Sequence, residues 1–306
     1  MIGRLIRESS KVHSLLHIVP LVQFFWIVLV IAWHFRAANG SKRTTPPKFN
    51  SLDYCDMNYC PRGKTNVGCS CNFNESFGLR CIDKNPRLHR LSYKQRQQIV
   101  HTHNSMRNNL ACGNVNRFAP AERMVALRWD DELQALAECN MKNCTYAHDQ
   151  CRSTERFRYA GQNIAKRTVC GRELHFEDVV MKSLNAWYDE FRDTTPEMLN
   201  KYPEPMPKKQ IGHFTAMVND NAYFVGCGLS SHDVRINAYY NETGEDCRAY
   251  IFVCNYSFNN LKGKPTYSGG NKSASRCRSH KSKQHHCLCS DHEPYTTLVD
   301  WDDSSI

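Results

Sequence analysis

The sequence lacks the phosphate loop G-x-x-x-x-G-K-(S/T), the dinucleotide fingerprint G-x-G-x-x-G, the H-E-x-x-H zinc helix and the G-x-S-x-G nucleophile elbow. Those absences take phosphate-loop enzymes, Rossmann dinucleotide binders, zincin-type proteases and α/β-hydrolases out of consideration. There is no C-x-x-C pair, which excludes zinc-finger knuckles. No segment repeats itself, so a solenoid is not expected. The basic stretch near the C-terminus has none of the interleaved aromatics on which bases stack, and nucleic acid is not an expected partner.

What the chain does have is cysteine. Sixteen of its 306 residues are Cys, scattered except for Cys69-x-Cys71 and Cys287-x-Cys289. An even number of dispersed cysteines implies bridges formed in an oxidising compartment. The N-terminus agrees: Arg4, Arg7 and Lys11 precede an apolar run from Leu15 to Trp33, and Ala38-Asn39-Gly40 supplies small residues for cleavage. Residues 1–40 therefore read as a signal peptide and the protein as secreted. The alternative is an uncleaved type II signal anchor, since the run approaches the ~20 residues that span a bilayer. Five N-x-S/T sequons add an extracellular signature, with Asn74, Asn241 and Asn271 as the glycosylation candidates; Asn143 precedes a cysteine and Asn255 lies in an apolar run.

Hydrophobic residues at 41% and charged residues at 23% describe a globular chain. After the signal segment, residues 41–92 form a cysteine-rich extension, 93–262 carry the periodic patterns of a packed domain, and 263–306 form a short basic tail that turns acidic at its end. The tail reads as a solvated appendage held by disulfides. Helices are expected at about Ser92–Leu110, Asp130–Met141 and Phe176–Arg192, from apolar residues at three- and four-residue steps. Strands are expected at Ala222–Leu229, Val234–Tyr240 and Arg248–Tyr256. Helices first and strands last indicate an α+β layered fold.

Few side chains could carry chemistry. His103 occupies the apolar face of the first helix and reads either as a core histidine or as a cavity ligand; His101 points elsewhere, to solvent. His213, in Gly212-His213-Phe214-Thr215, and Glu190, beside the buried Trp187 and Phe191, are the other candidates. Two imidazoles and a carboxylate could make an open zinc site, although spacing alone does not bring them together. His285-His286-Cys287-x-Cys289 has the composition of a metal cluster, but in an oxidised protein its cysteines are expected to be bridged.

Longer motifs carry a resemblance. His103-Asn104-Ser105-Met106-Arg107, Leu127-Arg128-Trp129-Asp130-Asp131-Glu132-Leu133, Tyr159-Ala160-Gly161-Gln162-Asn163-Ile164-Ala165, Trp187-Tyr188-Asp189-Glu190, Gly212-His213-Phe214-Thr215-Ala216-Met217-Val218 and Phe252-Val253-Cys254-Asn255-Tyr256 occur in order. Together they resemble the CAP superfamily (cysteine-rich secretory protein, antigen 5, pathogenesis-related 1). Cys144-Thr145-Tyr146-Ala147-His148-Asp149-Gln150-Cys151 is similar to its arthropod antigen-5 branch.

The resemblance implies a three-layer α-β-α sandwich with a central cleft. It also implies a tetrad of two histidines and two acids, mapped onto His103, Glu190 and His213, with the amide Gln162 at the fourth place. Asn219 and Phe258 depart from the two signatures. The bridges it implies are Cys55–Cys69, Cys60–Cys151, Cys81–Cys144 and Cys227–Cys254, leaving eight cysteines to pair among themselves. The expected function is a secreted non-enzymatic protein binding a small apolar ligand (lipid or sterol) or an extracellular protein or glycan. It requires no cofactor, binds zinc weakly if at all, and meets a membrane only if the signal segment stays uncleaved. The alternatives are a zinc-dependent hydrolase using His103, Glu190 and His213, and a matrix-associated structural protein.

Overall fold

The computed structural model describes Phe49 and residues 51–74, 76–115, 117–234 and 247–295. The signal segment, Asn241, most of the strand expected at Val234–Tyr240 and the acidic C-terminus lie outside the described residues.

After three short 3-10 turns (Ser51–Cys55, Met57–Tyr59, Leu79–Cys81) comes β1 (Arg87–His89), followed by α1 (Tyr93–Ala111). Ser92 caps α1 with Gln95 in a reciprocal capping box, closing two otherwise unpaired N–H groups. β2 (Arg128–Trp129) leads into α2 (Asp131–Met141), whose first turn is held by Asp130 accepting from the amides of Glu132 and Leu133. β3 (Gly161–Cys170) is followed by a π-turn (Glu177–Met181), α3 (Lys182–Asp189) and a 3-10 turn (Glu190–Asp193). α4 (Pro196–Asn200), α5 (Gly212–Met217), β4 (Phe224–Val234) and β5 (Cys247–Tyr256) complete the order.

The sheet runs β1-β4-β5-β3 with antiparallel pairing, and β2 lies parallel to the start of β4. All ten residues of β5 are buried, and its period-2 alternation divides the core. Tyr250, Phe252, Cys254 and Tyr256 join Ile99 and Leu110 of α1, Leu184 and Trp187 of α3, and Phe214 of α5. Ile251 and Val253 point the other way, onto Ala137 and Met141 of α2. Three layers result, with the sheet in the middle. The α2 layer sits so close that a Cβ at Gly226 would lie 2.2 Å from the Gln134 amide nitrogen.

All sixteen cysteines are bridged: Cys55–Cys69, Cys60–Cys151, Cys71–Cys139, Cys81–Cys144, Cys112–Cys287, Cys170–Cys247, Cys227–Cys254 and Cys277–Cys289. The described residues from Phe49 onward form one compact unit, and the described part of the tail, besides being held by Cys112–Cys287, packs on the body rather than standing off it. Its backbone pairs with residues 120–126 through Gly270 N to Pro120 O, Ala274 N to Ala121 O and Cys289 N to Met124 O. The Glu293 carboxylate, 1% exposed, caps Arg278 and Ser279. Backbone pairing, rather than side-chain polarity, decides where this segment lies; its lysines and arginines simply face outward.

Candidate central cleft

α5 begins against the end of α3, and that junction builds the first half of the site. Glu190 Oε2 accepts from the amides of His213 and Phe214 at 2.9 and 3.1 Å, while Oε1 accepts from His213 Nδ1–H at 2.6 Å. Trp187 stacks on the His213 ring with centroids 5.7 Å apart, and Phe252 backs Trp187 at 5.3 Å. The carboxylate thus fixes the tautomer, and the indole fixes the ring plane. His213 lines the cleft, and among the described residues its Nε2 has no hydrogen-bond partner.

β3 supplies the second half. Gln162 Nε2 donates to Asp149 Oδ2 at 2.8 Å and to Asn255 Oδ1 at 3.0 Å, and its Oε1 accepts from His148 Nδ1 at 2.8 Å. His148 stands at the cleft rim with its Nδ1 committed, as that of His213 is to Glu190. Desolvation holds its pKa below the ordinary imidazole value, with the Arg152 and His213 charges acting in the same direction against Gln162 and Asp149. Asp149 has no free oxygen: Asn140 and Gln162 bind Oδ2, and Arg152 binds Oδ1 at 2.7 Å. The cleft has a volume of about 420 Å³ and is further lined by Arg152, Asn163, Tyr202, Gln210, Asn259, Asn260 and Lys262.

His103 is not in this group. It is fully buried, donates Nδ1–H to Ile99 O at 2.9 Å and accepts the Tyr256 hydroxyl at Nε2, 3.0 Å away. Its pKa is lowered to about 4, by burial first and by Arg107 second, against the Ile99 bond. Tyr256 in turn accepts from Asn163 Nδ2, which also donates to the carbonyl of His213. His103 is thus a core residue that steadies the cleft from behind. The imidazole that reaches the cleft beside His213 is His148. Its signal was present in Cys144-x-x-x-His148-Asp149-x-Cys151, which reads as a disulfide motif and hides the histidine between its cysteines.

Gln162, expected as a fourth ligand, stands behind His148 instead. A glutamate there would press its oxygen against Asp149, and this contact accounts for the amide. Of the sequons, Asn255 is fully buried and bonded to Leu133 O, whereas Asn74, Asn143 and Asn271 are exposed.

Two imidazoles with Nδ1 anchored and Nε2 unpartnered fit the outer-shell pattern of metal-ligating histidines, so the residues present suit a divalent ion. No described helix is long and apolar enough to cross a membrane.

The family model described as CAP, the cysteine-rich secretory protein family, matches residues 100–256. Venom allergen-1 of Aedes aegypti is 34% identical over 241 residues, 79% of this chain and 88% of the relative. The antigen 5 like allergen Cul n 1 of Culicoides nubeculosus is 38% identical over 189 residues, 60% of this chain and 84% of the relative. Among solved structures, the crystal structure of NaASP2 with Zn2+ has a TM-score of 0.50 at 23% identity, covering 65% of this chain and 97% of that one, a likeness of fold. The matched model spans half of the chain, the venom allergen most of it, and the sandwich is shared: the chain belongs to the CAP cysteine-rich secretory protein family, among antigen 5-like relatives from arthropods.

Proposed function

We propose that this chain is an exported, non-catalytic binding protein whose central cleft takes a polar ligand, with His148 and His213 able to share a divalent ion there. The observation that carries the reading is the state of the charged groups. Both imidazoles offer an unpartnered Nε2, while each oxygen of Asp149 and Glu190 is already engaged. Neither carboxylate is free to take a proton from water, and the imidazole nitrogens that could do so are the ones an ion would occupy. The lining is rich in amides and carries Arg152 and Lys262. It suits a hydrogen-bonding group of an extracellular protein or glycan better than the lipid or sterol that the family resemblance suggests. Export is supported by the eight bridges and by relatives named as venom allergens.

Histidine-ring NMR during zinc titration tests this. The His148 and His213 ring signals should shift together at pH 7.5 and return on acidification through ~6.5, where protons compete for the same nitrogens. His148→Ala or His213→Ala should abolish the response of the other ring, and His103→Gln should preserve it. If His103 responds and His148 does not, the site is wrongly built.

A further inference from the structure

The tail encloses a second cavity, of about 390 Å³, between α1 and residues 280–292. Its walls include Asn104, His280, His285, Asp291 and His292. His285 is only 6% exposed, yet its Nε2 is buried without a hydrogen-bond partner. Buried ring nitrogens are ordinarily satisfied, so an unpaired one beside a cavity calls for a partner such as a water or an ion.

His101, on α1, faces it, with ring centroids 5.5 Å apart. Two imidazoles bound at ~2.0–2.1 Å to one tetrahedral ion hold their ring centres about 5 Å apart, so the spacing suits a shared ion. His101 Nδ1 meets the Gln284 amide at a long 3.4 Å, a contact an ion could displace. The neighbouring Cys112 and Cys287 are bridged to each other and offer no thiolate.

A phosphate or sulfate would need a charged ring. The site instead presents two imidazole rings at the spacing a shared ion requires, one with an unpaired nitrogen. Lys283 and Asp291 both line the wall, so its charge does not select an anion. Imidazole nitrogens are donors that first-row transition ions take readily.

We propose that His101 and His285 form a second divalent-metal site, for Zn2+ or Cu2+, that joins α1 to the C-terminal tail. The open side of the cavity leaves the remaining coordination positions to solvent. The ion would tie the tail to α1 beside Cys112–Cys287.

Zinc titration calorimetry on the full secreted protein, at pH 7.5, tests this apart from the cleft. Wild type and His148→Ala/His213→Ala should differ by one ion per chain, the double variant keeping the tail site. His285→Gln and His101→Gln, made in that double variant, should each weaken the remaining site at least tenfold. Unchanged thermal unfolding without metal would show that these two variants fold. Should either lower the unfolding temperature, His285→Asn and His101→Asn with wild-type unfolding replace them in the same comparison. The proposal is overturned if the double variant binds no zinc, or if the folded His101 and His285 variants bind as it does. Equal stoichiometry in wild type and the double variant, with the tail ion bound in both, would overturn the earlier reading and not this one.

Discussion

His103 is uncharged in the folded protein, and its effect on stability has a definite sign. Its folded pKa of about 4 lies below the 6.5 of an exposed imidazole. Between those values the unfolded chain binds the extra proton, so stability is full above pH 6.5 and falls as pH drops toward 4. The shift corresponds to about 3 kcal/mol. Asp220 acts in the opposite sense, because desolvation raises its pKa from 3.8 to about 6 against the Ser268 amide and Arg107. Its folded form takes up a proton first, which adds stability as pH falls below 6. Denaturant unfolding at pH 7.5, 6.0 and 4.5 separates the two. His103→Gln should be less stable than wild type at pH 7.5 and close the gap on acidification. Asp220→Asn should lose ground over the same range. Parallel curves for all three proteins would show that neither group titrates as described.

At the scale of elements, close approach between layers sets the tolerances. The Cβ of Gly226→Ala would meet backbone atoms of α2 and its N-cap, Gln134 N at 2.2 Å and Asp130 O at 2.4 Å, and no side chain can swing aside to make room. The strand and helix must separate, at an expected cost of about 1–3 kcal/mol. Gly212→Ala is the control, since its Cβ meets nothing nearer than the Tyr202 hydroxyl at 3.4 Å. Thermal melts should drop by several degrees for the first and hardly move for the second; equal melts would refute the tight α2–β4 contact. The helices and β5 were legible because burial imprints a 3.6- or 2-residue period on apolar residues. β3 was not. Gln162 and Asn163 are buried through hydrogen bonds rather than apolar packing, and Lys166 and Thr168 are exposed at alternate places, so its strand period is written mostly in polar residues. The same blindness hid His148. Its role depends on Gln162 and His213, which reach it from two other elements, and no spacing along the chain records that meeting.

For the whole molecule, the question is what keeps the tail in place. Cys112–Cys287 closes 175 residues and is the bridge that ties the tail to the body, whereas Cys277–Cys289 closes 12 residues within the tail. A cross-link stabilises mainly by restricting the unfolded chain, and more so for longer loops. The other bridges already shorten the path from Cys112 to Cys287, which keeps its effect near the typical value of about 2–4 kcal/mol. Losing it should also loosen the tail locally, because what remains is backbone bonds to residues 120–126 and side-chain contacts such as Arg123–Glu293 and Tyr267 Oη to Ala119 O. Losing Cys277–Cys289 should cost less, since those ties and the long bridge remain. Cys112→Ser/Cys287→Ser and Cys277→Ser/Cys289→Ser, compared by denaturant unfolding and limited proteolysis, check the order. The first pair should expose the lysines and arginines of 272–283 to trypsin well before the body of the protein is cut. If both pairs resist trypsin as wild type does, backbone pairing alone holds the tail, and the long bridge acts only on the unfolded chain.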